Sequence, residues 1–208
     1  MREENNQVKV VGEVTGDFIF SHEVWGERFY TGFLKVPRFS GDSDIIPVMV
    51  SDRLIDVTAN WSGCYLSIEG QFRSFNRKLP DGRSKLELHV HAVDAEVFSD
   101  MDIRSADMNR ITLDGYLCKE PVFRVTPLGR QITDLIVAAN RSYGKSDYIP
   151  CICWGRNAKY AAKFCVGDHC TLTGRIQSRV YHKTLEDGSI EERTAWEVSV
   201  QMISIESF

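Results

Sequence analysis

The chain has 208 residues, 43% hydrophobic and 26% charged, a composition typical of a folded globular protein with room for two domains of about 100 residues. No apolar run approaches the roughly 20 residues that span a bilayer, and "MREENNQVKV" lacks a secretory signal, so we expect a cytosolic protein with no membrane partner and six reduced cysteines. The net charge of -4 argues against a nucleic-acid partner only on average, because residues 105–185 carry 12 basic and 6 acidic side chains.

The first predicted element, "VKVVGEV" at Val8–Val14, recurs as "ITLDGYL" at Ile111–Leu117, an offset of 103 residues. Glycines and polar residues continue this register, with one inserted residue midway, and such ordered matches indicate a tandem duplication. We place the copies at 5–98 and 109–206, with a linker in "SDMDIRSADM". The matched pairs include Gly12 and Gly115, Gly26 and Gly129, Arg38 and Arg141, Gly41 and Gly144, Asp44 and Asp147, Pro47 and Pro150, Gly63 and Gly167, Gly70 and Gly174, and Ser74 and Ser178.

Each copy is predicted to contain five strands and one short helix. In the first copy, "DRLIDVTANWSG" is the helix candidate. In the second, period-two alternation predicts strands in "NRITLDGYL", "RQITDLIVAAN", "YIPCICW", "HCTLTGRIQSRV" and "TAWEVSVQMISIE". The segment "RNAKYAAKFCV" at Arg156–Val166 has small residues at helical spacing instead, with Gly167 behind it. This order is that of an OB-fold, so we predict an all-β protein of two tandem five-stranded Greek-key barrels, each with a helix between strands three and four.

Residues 109–205 resemble a bacterial single-stranded DNA-binding protein domain. The resemblance rests on "NRITLDGYLCKEPVFRVTPLGR", "IVAANRSYG", "CICWGRNAKYAAKFCVGD" and "LTGRIQSRVY", in the family's order and spacing. The first copy resembles the same domain in a diverged form, with "VKVVGEV" and "LSIEGQFRSFN" as its clearest traces. The resemblance implies sequence-tolerant binding of single-stranded DNA in replication, recombination or repair.

Aromatic and basic side chains are interleaved in the second copy. Four rings match the positions where this family carries base-stacking aromatics: Tyr143, Tyr148, Trp154 and Tyr181. Six cations lie close by in sequence: Arg141, Lys145, Arg156, Arg175, Arg179 and Lys183. Single strands bind OB-folds by stacking bases on rings while cations follow the backbone. We therefore predict a DNA-binding face formed by these ten residues.

Two structural alternatives stay open at this stage. Tyr148 and Trp154 share strand parity, so both could fill the barrel interior, where strand aromatics are common. Each basic residue could equally be a solvated surface charge without a partner.

The cysteine and histidine patterns predict no metal site, no cofactor and no enzymatic activity. C-x-C within a strand and C-x₄-C across a helix end differ from the paired C-x₂-C of zinc sites. Cys151 and Cys153 share one strand face and suit a core. No nucleophile motif or phosphate loop accompanies His22-Glu23, His89, His91 and Asp94. We expect His89 and His91, two apart on a strand, to cover one barrel face.

The first copy lacks the four rings at the repeat offset. Ser40, Ile45, Ser51 and Arg77 occupy those positions, although Phe39 and Phe75 lie nearby, and residues 1–104 carry 12 basic and 17 acidic side chains. We therefore expect the first copy to act as a scaffold.

The resemblance also implies four OB-folds per functional unit, and hence a homodimer of this two-fold chain. The sequence ends at "MISIESF", without the acidic-tipped tail with which typical family members recruit replication proteins. An alternative function therefore stays open: a primosome-type protein–protein adaptor built on OB-folds, with replication or primosome proteins as partners and weak affinity for DNA.

Overall fold

β-Strands dominate the computed structural model, which describes residues 5–78, 82–98, 108–184 and 187–205. The predicted linker Ser99–Met108, except for Met108 itself, and the predicted end of the second copy at residue 206 lie outside these ranges. The first copy contains β1 (Asn6–Val14), β2 (Ile19–Val24), β3 (Glu27–Pro37), β4 (Ser43–Ser51), β5 (Tyr65–Lys78) and β6 (Ser84–Val97). The second contains β7 (Asn109–Leu117), β8 (Val122–Val125), β9 (Gln131–Asn140), β10 (Ser146–Trp154), α1 (Gly155–Ala161), β11 (His169–Thr184) and β12 (Ile190–Ile205).

These strands form one continuous sheet whose two halves mirror each other. The order is β2-β3-β4-β6-β5-β1-β7-β11-β12-β10-β9-β8, so each strand of the first copy has its repeat equivalent at the same distance from the middle. Further pairings of β1 with β3 and of β7 with β9 close each half into a barrel. The prediction of an all-β chain with two tandem OB-folds is confirmed.

Two details of the prediction differ from the structure. Each copy has an additional short strand, β2 or β8, which extends the barrel as an edge of the sheet. The helix predicted in "DRLIDVTANWSG" is wrong, because residues 52–63 form turns. Asp56 accepts hydrogen bonds from the backbone and hydroxyl of Thr58, and Asn60 accepts one from the Ser62 N–H. Such local side-chain bonds compete with helix formation. In the second copy the helix forms but is shorter than the predicted Arg156–Val166.

Each barrel has its own apolar interior, filled from equivalent positions. Ile46, Val48 and Val50 on β4 are fully buried, and Ile149, Cys151 and Cys153 take their places on β10. The two cysteines therefore stand where the first copy has valines. Burial raises the pKa of Cys153 to about 12 and that of Cys151 well above its usual range, so both thiols stay protonated and act as small apolar groups.

The copies join along a seam with local two-fold pseudosymmetry. β1 pairs with β7 in antiparallel register, with Val8 opposite Ile111 at the centre. Asn6 exchanges two hydrogen bonds with the backbone of Phe72, at 2.8 and 2.9 Å, and Asn109 does the same with Ile176. The repeat therefore extends to the contacts that organise the middle of the molecule.

An ion pair in each copy is hydrogen-bonded to a serine of the other copy, and we call each of these two arrangements a clasp. Asp147 is buried, pairs with Arg141, and accepts the Ser74 N–H at 2.6 Å. Arg141 Nη2 donates to the Ser74 carbonyl at 3.2 Å, and the Ser74 hydroxyl accepts the Tyr148 N–H at 2.8 Å. The mirror-related clasp consists of Arg38, Asp44, Ile45 and Ser178, with the same bonds. Each barrel is thus hydrogen-bonded to the long β-hairpin of the other.

Candidate nucleic-acid interface

Strand β10 carries two of the predicted rings on the outside of the second barrel. Ile149, Cys151 and Cys153 alternate inward, whereas Tyr148 is 46% exposed and Trp154 is 36% exposed. The alternative in which both rings fill the interior is therefore wrong. Both rings are thus partly accessible to a ligand, one near each end of the strand.

Strand β11 adds a ring and a cation to the same outer face. β10 pairs in parallel with β12, which places Ile152 opposite Ser199, and β12 pairs with β11, which places Ser199 opposite Arg175. Residues of one parity on the three strands thus share the face, including Arg179 and Tyr181. The Arg179 guanidinium carbon lies 5.5 Å from the centre of the Tyr181 ring, a cation–π distance.

Tyr143 stands apart on a turn between β9 and β10. Residues Ser142–Gly144 form one 3₁₀ turn, closed by a 2.7 Å hydrogen bond from the Arg141 N–H to the Lys145 carbonyl. Tyr143 itself has φ +70°, a left-handed conformation that side chains rarely adopt, and is 100% exposed. A fully exposed ring in a strained turn contributes little to packing.

Two of the predicted DNA-contacting arginines belong to the seam instead. Arg141 Nε donates to Asp147 at 2.6 Å within the clasp. Arg175 Nη1 donates at 2.8 Å to Asp44 of the other clasp. Arg141 is paired with one buried carboxylate, whereas Arg175 shares the Asp44 carboxylate with Arg38. Both arginines therefore have a structural role in the seam, and their contacts with DNA stay a prediction.

The remaining predicted cations are exposed around the face. Lys145 lies in the Tyr143 turn, Arg156 at the start of α1, and Lys183 near the end of β11. Arg179 is mostly exposed and lies 3.8 Å from Glu197, a loose pair that a phosphate could replace. The face therefore combines three rings with exposed cations, and Tyr143 and Lys145 flank it.

The sequence analysis missed a set of rings on the first copy. His22 and Phe29 stack at 5.0 Å between ring centres, Phe29 lies 5.7 Å from His91, and His91 lies 6.3 Å from His89. We call these four rings the imidazole ladder. They lie on β2, β3 and β6, whereas the four predicted rings of the second copy lie on β10, on β11 and in the turn before β10. The spacing of His89 and His91, two apart on one strand, was the sequence feature that indicated a shared face.

No group of three or more metal-ligating side chains occurs within the described part of the chain. Among the same residues, no helix is long and apolar enough to cross a membrane. Phe29 separates His22 from the two histidines of β6.

The fold and this outer face define a class of protein: a single chain carrying two OB-folds, with aromatic and basic groups exposed on the second. The model of the single-strand binding protein family matches residues 108–206. Single-stranded DNA-binding protein B of Bacillus subtilis is 34% identical over 80 residues, which cover 35% of this chain and 71% of that protein. The chain belongs to the single-strand binding protein family.

Two further comparisons set the extent of the similarity. Single-stranded DNA-binding protein 2 of Listeria innocua is 37% identical over 81 residues, and the match covers 36% of this chain and 51% of that protein. The chain thus spans about half the length of several curated relatives that it matches. The crystal structure of the single-stranded DNA binding protein from Thermus aquaticus shares the fold over 98% of this chain and 93% of that one, with a TM-score of 0.70 and 19% identity.

Proposed function

We propose that the protein binds single-stranded DNA without strong sequence preference, mainly through the outer face of the second copy. The observation that carries this proposal is the exposure of Tyr148 and Trp154 on the outer face of β10, with the half-buried Tyr181 and its neighbour Arg179 on β11. Every base has a π-face, so stacking on such rings tolerates sequence, and each stack contributes roughly 1–3 kcal/mol. Lys145, Arg156 and Lys183 supply charge for the phosphates.

Membership of the family supports the ligand class, and the site supports the mechanism. We assign the binding role chiefly to residues 109–206 and a smaller one to residues 5–98. In the cell, such a protein would protect single strands during replication, recombination or repair in the cytosol. Two chains would together present four OB-folds.

Titration with oligo-dT, followed by tryptophan fluorescence, tests the proposal. Stacking of a base on Trp154 should quench its emission, and Trp154→Phe should lose part of the quenching. A duplex of equal length should compete poorly, because its paired bases cannot stack on the rings. No quenching and no mobility shift at low salt would overturn the proposal and favour the adaptor function.

A further inference from the structure

The two ends of the twelve-stranded sheet are exposed strand edges. β2 pairs with β3 alone and β8 with β9 alone, so each has one side whose backbone groups no other strand among the described residues uses. Proteins commonly protect such edges with proline, lysine or a bulge. Neither "IFSHEV" of β2 nor "VFRV" of β8 contains proline or lysine, and β2 has one bulge. Both edges are therefore open to pairing with a further strand.

Apolar side chains accompany both edges. The exposed ones are Ile19, Phe20 and Val24 on β2, and Val122, Phe123 and Val125 on β8. Trp25 directly follows β2, is 98% exposed and has φ +47°, a left-handed backbone that costs free energy at a tryptophan. A ring in solvent offsets none of this cost by packing within the chain, and tryptophan is enriched at the centres of interfaces. The β2 end thus has the character of a contact surface.

The two ends carry opposite charge. Residues 15–30 around β2 have three acidic side chains and one basic side chain, whereas residues 118–131 around β8 have three basic and one acidic. Two β2 ends would repel each other, as would two β8 ends, whereas a β2 end attracts a β8 end. Within the chain, β2 and β8 lie at opposite ends of the sheet and do not pair, so this attraction acts between different chains.

We propose that the β2 edge of one chain pairs with the β8 edge of the next, so that neighbouring chains on one DNA strand are joined end to end. The occupant of each edge is thus a second copy of this chain. The contact is heterologous: it leaves one β2 edge and one β8 edge free, and further chains can add to them.

The length of the edges sets the strength of this contact. β8 has four residues and β2 has six, so the pairing involves few hydrogen bonds and is weak between free chains. It becomes effective when one DNA strand holds the chains side by side, because binding to the same strand raises their local concentration. The inference rests on the proposed function and extends it to the arrangement of several chains on one strand.

Charge reversal at each end tests the inference. Asp17→Lys with Glu23→Lys turns the β2 end basic, and Lys119→Glu with Arg130→Glu turns the β8 end acidic; all four side chains are exposed. Affinity per site is measured at low salt for an oligo-dT that holds one chain and for one that holds several. The ratio of the second affinity to the first is the cooperativity factor. It should exceed about tenfold for the unchanged protein and fall to about one for each reversal.

Reversal of both ends in one chain provides the rescue. It makes the charges of the two ends opposite again, so most of the cooperativity factor should return. A change in the affinity of a single chain for DNA, or in stability, cannot produce this recovery, because each factor is referred to the short oligo-dT of the same protein.

Trp25→Gly tests the contact without any change of charge. Glycine suits the positive φ at this position, so the melting temperature should be unchanged or higher. The cooperativity factor should fall by about threefold or more, while affinity for the short oligo-dT stays the same. Phe39→Ala is the matched control, because Phe39 is also an exposed aromatic of the first copy but follows the other end of β3. Its cooperativity factor should equal that of the unchanged protein.

The outcomes separate the two proposals. If the unchanged protein binds neither oligo-dT, the proposed function fails. If it binds both with equal affinity per site, the end-to-end contact is overturned and the proposed function stands. The same holds if reversal of both ends does not restore the factor that reversal of one end removes.

Discussion

Ring and charge contributions to binding are separable at single residues of the second copy. Tyr143→Ala or Tyr148→Ala should cost roughly 1–3 kcal/mol of affinity for single strands and leave the salt slope unchanged, because a ring releases no counterions. Trp154→Ala should behave similarly, since its side chain is partly exposed rather than in the core. Melting curves of each variant verify that the fold is retained.

Arg179→Ala should behave differently from the ring variants. If Arg179 contacts a phosphate, its removal should reduce the slope of log K against log salt by about 0.7, the value per contact for single strands. Arg77→Ala on the first copy is the control, because Arg77 pairs with Glu87 at 2.8 Å, and its slope should match that of the unchanged protein. If Arg179→Ala and Arg77→Ala both keep the salt slope of the unchanged protein, the salt dependence of binding arises from other cations.

Protonation of the ladder predicts how stability depends on pH. The pKa values of His89 and His91 in the folded state, about 4 and about 3, lie below the usual value of about 6.5, so the unfolded chain binds these protons first. Stability should therefore be full above about pH 6.5 and fall as the pH drops toward 4, by up to about 1.4 kcal/mol per pH unit for each group. Urea denaturation across this range measures the slope.

A His89→Gln, His91→Gln double variant provides the comparison. It should show a flatter pH dependence between about pH 6.5 and 4, because neither glutamine binds a proton. An unchanged slope in the double variant would mean that other groups control acid stability.

At the scale of elements, the clasps join each long hairpin to the other barrel. Asp147→Ala would leave Arg141 without its carboxylate and the Ser74 N–H without its acceptor in a buried site. Removing one partner of a buried pair typically costs about 3–5 kcal/mol, and urea denaturation should show a loss of this size. Asp44→Ala should cost at least as much, since Asp44 also accepts a hydrogen bond from Arg175 at 2.8 Å.

The matched control is the exposed pair of Glu191 with Arg193, at 2.6 Å. Glu191→Ala should leave the free energy of unfolding unchanged, because water and salt screen an exposed pair. A small effect for Asp147→Ala as well would show that the β1–β7 pairing holds the copies together without the clasps.

The glycines made the fold predictable from the sequence. A Cβ at Gly70 would lie 2.0 Å from the His91 carbonyl oxygen, and one at Gly174 would lie 2.3 Å from that of Ser199. Both glycines lie at bulges where the long strands bend. The need for a residue without a Cβ at this bulge therefore appears at equivalent positions of both copies. The alternation of apolar and polar residues predicted the strands themselves.

The site was less predictable because retained residues and ligand-binding residues are hard to tell apart. Arg141, Asp147 and Ser178 recur at the repeat offset as Arg38, Asp44 and Ser74. A residue that recurs in both copies serves a contact that both copies make. Here these residues form the clasps at the seam. The stacking within the ladder was unpredictable for the opposite reason: its rings lie on strands where the second copy has no equivalent stack. Side-chain stacking across strands also depends on register that the sequence does not specify.

For the whole molecule we expect association of two chains. The proposal of four OB-folds per functional unit implies a dimer, and the edge strands β2 and β8 expose apolar side chains that association could cover, including Ile19, Val24, Val122 and Val125. Static light scattering should give twice the chain mass of 23.7 kDa. A mass of one chain at all micromolar concentrations would contradict this.

The pseudosymmetric seam changes how the paired barrels respond to dilution. Separate subunits joined by the same contacts would come apart as their concentration fell, by mass action. Here both halves belong to one polypeptide, so their association does not depend on the concentration of the chain. A molecule present at a few copies would therefore keep its two barrels together. Each half can also change its surface independently of the other half, which allows the ladder and a cationic face to coexist in one chain.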